Sequence, residues 1–171
     1  MLNSLKDLYA HQLRDLYSAE TQLIEALPKM SAAATNQDLK KAFQEHLEET
    51  RIHAERIAEI CQRRGIDPTG ETCNAMKGLI TEAEKTLSEW SIPEVCDAAL
   101  IANAQRVEHY EMAGYGATRT YAGLLDYDDD KDTLEKSLDE EGDANQLLTK
   151  IATGGLFGSG LNKDALKAEN H

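Results

Sequence analysis

The sequence predicts an all-α fold, an antiparallel four-helix bundle with one long crossover that carries a short extra helix. Three observations predict it. Apolar residues recur at helical spacing almost throughout, no run alternates long enough to read as a strand, and every break between periodic segments is short except one. At 171 residues the chain is sized for one core. Residues 1–153 are expected to form a single bundle domain. Residues 154–171 are expected to be a flexible C-terminal tail, because positions 154–160 hold four glycines and a serine.

The first helix is expected from about Asn3 to about Ala34, on an inner stripe of Leu5, Leu8, Leu16, Leu23 and Leu27. Pro28 should kink or interrupt it, since proline removes a backbone donor and crowds the preceding turn. The Thr35-Asn36 break leads to a second helix, Gln37 to Arg64, with Leu39, Phe43, Leu47, Ile57 and Ile60 inward. So short a connection forces an antiparallel hairpin. Residues 65–91 are punctuated by Gly65, Asp67-Pro68-Thr69-Gly70 and Ser91, and Met76, Leu79, Ile80 and Leu87 suggest one shorter helix within this crossover. Ser91 is expected to cap a third helix that has Pro93 in its first turn and runs to about Tyr121. A fourth should cover Thr133 to Thr153 with Leu134, Leu138, Leu148 and Ile151 inward, ended by Gly154-Gly155. Two hairpins joined by one crossover is the layout of a ferritin-like bundle.

Charge narrows the function classes. Asp and Glu number 31 against 18 Lys and Arg, for a net −13. Such a field repels phosphate backbones and anionic head groups, so nucleic acid and membrane are not expected partners. No apolar run approaches a membrane span and no leader pattern opens the chain, which makes a cytoplasmic location the expectation. Cys61, Cys73 and Cys96 are odd in number and lack a C-x-x-C pair, so buried inert thiols are expected. The acidic run Asp126, Asp128, Asp129, Asp130 and Asp132 fails as a calcium loop. Lys131 stands where the glycine turn is needed and Ser137 where the bidentate Glu is needed. Solvated acids ahead of a helix N-terminus account for it.

The apolar stripes are interrupted at matching depths. Glu20 stands between Leu16 and Leu23 on the first helix, and His46, Glu49, Thr50 and His53 between Phe43 and Ile57 on the second. Glu108 lies between Ile101 and Met112 on the third, with Glu111 one turn on, and Glu141 between Leu138 and Leu148 on the fourth. In antiparallel hairpins the 29-residue separation of Glu20 and Glu49 and the 33-residue separation of Glu108 and Glu141 put these side chains near mid-bundle. Buried carboxylates repel one another and must be protonated, matched by cations or coordinated to metal. Carboxylates with neutral imidazole are the ligand set of paired iron or manganese ions in bundle cores. His109, next to Glu108, points about 100° away and is expected off the site. Tyr17, Tyr110, Tyr115 and Tyr121 could bond carboxylates or simply pack.

Several blocks together carry a resemblance. Tyr17-Ser18-Ala19-Glu20, His46-Leu47-Glu48-Glu49-Thr50, Asp97-Ala98-Ala99-Leu100-Ile101 and Val107-Glu108-His109-Tyr110-Glu111 resemble the bacterial YciE/YciF-type proteins, the YciE branch most. The resemblance covers nearly the whole chain except the tail. It implies a ferritin-like, rubrerythrin-related bundle, usually dimeric, associated with bacterial stress responses and without an established activity. The wider superfamily implies a dinuclear site, with Glu20, Glu49, Glu108 and Glu141 matching its central carboxylates. Its Glu-x-x-His pattern is broken here, because Ile52 follows Glu49 by three residues and Ala144 follows Glu141 by three.

The expectation is therefore two iron or manganese ions. Glu49 and Glu141 would bridge them, Glu20, Glu108 and Glu111 would be terminal ligands, and His53 or His46 would supply nitrogen. The catalytic residues are unknown. Dioxygen or peroxide would be the small oxidant, or Fe(II) oxidation the reaction. The rival readings are a metal-free helical dimer that acts by association and a metal buffer without catalysis.

Overall fold

Local chemistry at the helix ends fixes the elements of the computed structural model, which describes residues 3–155 and 159–168. Helix α1 (Leu5–Ala33) starts where the Ser4 hydroxyl accepts from the Asp7 N–H. It runs through Pro28 without interruption. The turn beyond the proline is held by the buried Met30 and by Ser31, whose hydroxyl donates to the Lys40 carbonyl across the hairpin. Helix α2 (Gln37–Arg64) keeps its expected bounds. The Asn36 side chain accepts from the Asp38 and Leu39 N–H groups, and Gly65 closes the helix at φ 65°, a left-handed conformation that glycine adopts freely.

The crossover carries α3 (Asn74–Glu89), and α4 (Pro93–Leu124) follows. Ser91 does not cap α4. Ile92 occupies that position with no side-chain bond, and Pro93 at the first helical position lacks an N–H that would otherwise need a partner. Helix α5 (Asp128–Thr153) begins five residues before Thr133, the expected start. Asp128, Asp129 and Asp130 form its first turn, where the positive end of the helix dipole favours acids.

Among the described residues the fold is all-helical, as expected. Helix α1 packs on α2 and α4 on α5, while α1–α4 and α2–α5 contacts join the two hairpins. Three buried acids set the register. Asp97 on α4 accepts from Thr35 N, Thr35 Oγ1 and Asn36 N at 2.9, 2.6 and 2.8 Å, which fastens the α1–α2 turn. Asp130 is fully buried. It accepts from Tyr9 Oη at 3.0 Å, Arg63 Nη2 at 2.9 Å and Arg64 Nε at 2.6 Å. One member of the acidic run is thus a buried clamp between α5, α1 and the end of α2, not a solvated charge. The third, Glu20, belongs to the layer described below. Where α1 meets α4, a Cβ on Gly114 would stand 2.9 Å from Leu16 Cδ2, so glycine permits this close approach.

The core falls into two apolar blocks. Leu23, Leu27, Phe43, Leu100, Ile101 and Leu148 centre one, and Leu13, Leu16, Ile57, Ile60, Tyr115 and Leu134 the other. On each of α1, α2, α4 and α5 the polar interruption lies between the two blocks. The tail needs a correction over part of its length. Residues 161–168 form α6 (Leu161–Ala168), whose buried Leu161 and Ala165 pack on α4 and α5. Residues 156–158 and 169–171 of that tail lie outside the described residues.

The thiols are free, with Cys61 and Cys73 buried and Cys96 half-buried. Cys73 does more than pack: its Sγ accepts from the Met76 N–H at 3.4 Å as the cap of α3 and meets Tyr110 Oη at 2.8 Å. No helix among the described residues is long and apolar enough to cross a membrane.

Candidate metal centre

Each helix of the two hairpins delivers its charged side chains to one layer because the flanking turns are locked in the apolar blocks. Helix α1 presents Glu20, α4 presents Glu108 and Glu111 one turn apart, and α5 presents Glu141. Helix α2 presents His46 and His53, two turns apart on one face. The six fall into two groups whose ligand-type atoms lie within 4.8 Å of one another: His46, Glu108, Glu111 and Glu141, and Glu20, His53 and Glu141. Glu141 is common to both. Its Oε2 lies 3.9 Å from His46 Nε2 and its Oε1 lies 2.8 Å from His53 Nδ1. His46 Nε2 is also 3.4 Å from Glu108 Oε1, and His53 Nδ1 3.6 Å from Glu20 Oε1.

Glu49 does not join them and needs correction as a bridging ligand. Between His46 and His53 the inward face can take position 49 or position 50. The fully buried side is occupied by Thr50, whose hydroxyl donates to the His46 carbonyl at 2.8 Å. A short hydroxyl that satisfies itself on its own helix is cheaper to bury than a carboxylate. Glu49 is left half-exposed, with Oε2 3.7 Å from His46 Nδ1. His109 is exposed, its Nδ1 2.6 Å from the Gln105 carbonyl, so it is off the site as expected.

Two side chains support the layer: Glu140, which the sequence does not single out, and Tyr115, one of the four tyrosines able to bond a carboxylate. Glu140 Oε2 lies 2.9 Å from His53 Nε2 and is itself gripped by Arg56, so His53 donates outward from Nε2 and turns Nδ1 toward Glu20 and Glu141. In the neutral ring that a metal requires, this leaves the Nδ1 lone pair turned inward, the arrangement of carboxylate and imidazole that orients histidines in metal sites. The stripe of Leu138 and Leu148 marks Glu141 as the inward residue, but nothing in the sequence marks its neighbour Glu140 as the partner of His53. The second is Tyr115, buried, whose hydroxyl donates to Glu20 Oε1 and whose ring meets His53 edge-on with centroids 5.8 Å apart. Tyr110 instead donates to Asp15.

Electrostatics in the layer is unbalanced. Burial pushes the Glu20 carboxyl up, and Glu108 and Glu111 well up, with neighbouring carboxylates adding to the last two. Burial would also raise Glu141, but His53 and His46 beside it hold it below the ordinary carboxylate range. Burial opposes a charge on either histidine. Glu108 and Glu49 nevertheless raise His46 to about 9, and Glu141 and Glu20 raise His53 to about 11. Among the described residues nine buried side-chain nitrogen and oxygen atoms have no hydrogen-bond partner, and all nine belong to these six residues. Buried polar atoms are almost always satisfied, so this concentration marks a place built for something else. The donors suit divalent iron or manganese, which take carboxylate oxygen and imidazole nitrogen together. Four ionised carboxylates and two neutral imidazoles would be neutralised by two divalent ions.

A cavity of about 150 Å³ leads from the surface to this layer. Its floor is His46 and Glu108, its walls include Phe43 and Leu148, and Glu45, Glu49, Glu140 and Asp143 stand around it. It is smaller than the roughly 300 Å³ at which pockets for drug-sized ligands begin.

Fold and site define an all-helical bundle with a buried glutamate–histidine layer of metal-ligating type. The chain belongs to the DUF892 family, a domain of unknown function, which it matches over residues 4–162. It is 40% identical over 170 residues to protein YciF of Escherichia coli K12, covering 99% of this chain and 98% of that one. The crystal structure of the E. coli stress protein YciF superposes with a TM-score of 0.85 at 41% identity, over 88% of this chain and 95% of that chain. YcfI from Rhodopseudomonas palustris, proposed in its description to be a structural protein, also gives 0.85, at 45% identity, over 88% of this chain and 96% of its own. The nearer likeness to YciE expected from the sequence rests on neither of these relatives.

Proposed function

We propose that this chain is a ferritin-like stress-response protein that holds two ions of iron or manganese in its bundle core and uses them on a small oxidant, dioxygen or peroxide. The observation that carries the reading is that, among the described residues, the nine buried side-chain atoms without a hydrogen bond are confined to Glu20, His46, His53, Glu108, Glu111 and Glu141. His46, Glu108 and Glu111 would hold one ion, Glu20 and His53 the other, and Glu141 would be shared. A pair of redox-active ions supplies electron exchange with an oxygen–oxygen bond and stabilises the charge that develops on it.

The chain's own residues supply the rest. Glu140 and Arg56 hold His53 in one orientation, and Tyr115 holds Glu20. The narrow, partly apolar cavity admits a small neutral oxidant or a cation, and its acidic surroundings oppose anions. The cellular setting is proposed as the cytoplasm and the assembly as a homodimer, following the family resemblance. The structural role in the description of YcfI is the competing reading, in which protons rather than metal satisfy the layer.

Hydrogen peroxide consumption separates the readings. Protein loaded anaerobically with Fe(II) or Mn(II) is expected to disproportionate peroxide to water and dioxygen over many turnovers, two peroxides giving two waters and one dioxygen, and a Glu141→Gln variant to lose that activity. Loaded protein that binds metal but turns over no peroxide and no dioxygen would make it a buffer.

A further inference from the structure

The floor of the cavity has an unusual feature. His46 is 6% exposed, and neither ring nitrogen has a hydrogen-bond partner. The two nitrogens face two separate acids. Nε2 looks inward to Glu108 Oε1 at 3.4 Å, and Nδ1 looks outward to Glu49 Oε2 at 3.7 Å. Glu49 is half-exposed at the cavity, and among the described residues it forms no ion pair with Lys or Arg. Among the described residues no Lys or Arg lines the cavity.

Building on the dinuclear reading, we propose that Glu49 and the outer nitrogen of His46 form a separate waystation, where a divalent cation is caught from solvent before it passes to the buried layer. Two ligands about 2.1 Å from one ion can stand up to about 4.2 Å apart, so both the outer and the inner His46–carboxylate pairs can span a cation. A neutral imidazole has a single lone pair and a single N–H. With the cation on Nδ1, the proton is on Nε2 and points to Glu108. With the cation passed to Nε2, the proton there is released through Glu108, and Nδ1 takes one from solvent that points to Glu49. Occupation of the inner site by His46 therefore empties the outer one, and Glu49 changes from ligand to hydrogen-bond acceptor. This accounts for a carboxylate kept beside a buried imidazole without belonging to either buried group.

The test is the rate of Co(II) uptake by the anaerobic apoprotein, followed by visible absorbance in a stopped flow, for the wild type, Glu49→Gln and Glu45→Gln. The Glu49→Gln variant should load at least about tenfold more slowly, within the range that charge placement has on association rates, yet reach the same final content, spectrum and thermal stability. Glu45→Gln, which removes a charge at the cavity but no contact to His46, should stay within about twofold of the wild type. A Glu49→Gln rate equal to wild type overturns the waystation, and so does a Glu49→Gln end point reduced by one ion, which would make Glu49 a permanent ligand. Failure of the wild type itself to take up Co(II) would instead overturn the dinuclear reading beneath it. Because Glu49 is half-exposed and packs in neither apolar block, the amide variant is expected to fold.

Discussion

A Glu141→Gln variant is expected to fall from about two bound divalent ions per chain to at most about one, the pair being the usual content of such carboxylate–histidine bundle sites. Glu141 is the only side chain common to both buried groups, with one oxygen toward each histidine. The amide keeps the shape and loses the charge, so the remaining three carboxylates no longer balance two divalent cations. Groups that only orient metal ligands already change affinity by about 10–100-fold, and a shared ligand should exceed that. Glu111→Gln is the matching control, since Glu111 belongs to one group only and should weaken one ion while sparing the other. Metal analysis after dialysis reads both, and unchanged far-ultraviolet circular dichroism shows that the fold is intact. Two ions retained by Glu141→Gln would contradict the assignment.

The second large effect is an opposite pH dependence in apoprotein and loaded protein. In the apoprotein His46 and His53 are raised to about 9 and about 11, above the unfolded value near 6.5. Such groups contribute stability that is fully present below about 6.5 and lost as pH rises through their folded values. Glu20, Glu108 and Glu111 are also raised, so their contribution likewise declines as pH climbs above about 4.3. Glu141 is lowered and acts in the opposite direction, with its contribution lost as pH falls through its folded value. Three carboxylates and two imidazoles outweigh it, so the apoprotein Tm should fall between about pH 6 and about pH 9. With metal bound, the same ligands must be deprotonated, so the loaded protein should lose Tm on acidification from about pH 8 to about pH 5 as protons compete for them. Thermal scans of both forms across that range give the signs. Parallel curves would show that metal does not engage the layer.

The parts of this architecture that a sequence displays are those where one residue type interrupts a regular pattern. Glu20, Glu108, Glu111 and Glu141 stood out because each occupies a place where helical spacing calls for an apolar side chain, and the structure brings them together with His46 and His53. The bounds of α2 were legible for a similar reason, since Asn36 and Gly65 are strong local signals at its two ends.

Elsewhere the pattern was degenerate. Positions 49 and 50 both fit between His46 and His53, and side-chain size with self-satisfied bonding decided for Thr50. In the acidic run nothing local distinguishes Asp130 from its neighbours. Its burial depends on Arg64, Arg63 and Tyr9, which lie 66, 67 and 121 residues away in the chain. Glu140 is identified only by the position of His53 on another helix. Helix α6 was hidden behind its glycine-rich approach, and its support comes from surfaces of α4 and α5 that exist only after the bundle forms.

The central claim is that the six-residue layer is a dinuclear metal site, and equilibrium dialysis of metal-free protein against Mn(II), or against Fe(II) under anaerobic conditions, tests it most directly. The account predicts uptake of about two ions per chain, the content that four carboxylates and two imidazoles match, with a marked rise in Tm. Fewer than about 0.2 ions per chain, with no thermal shift, would contradict it and leave a layer satisfied by protons alone.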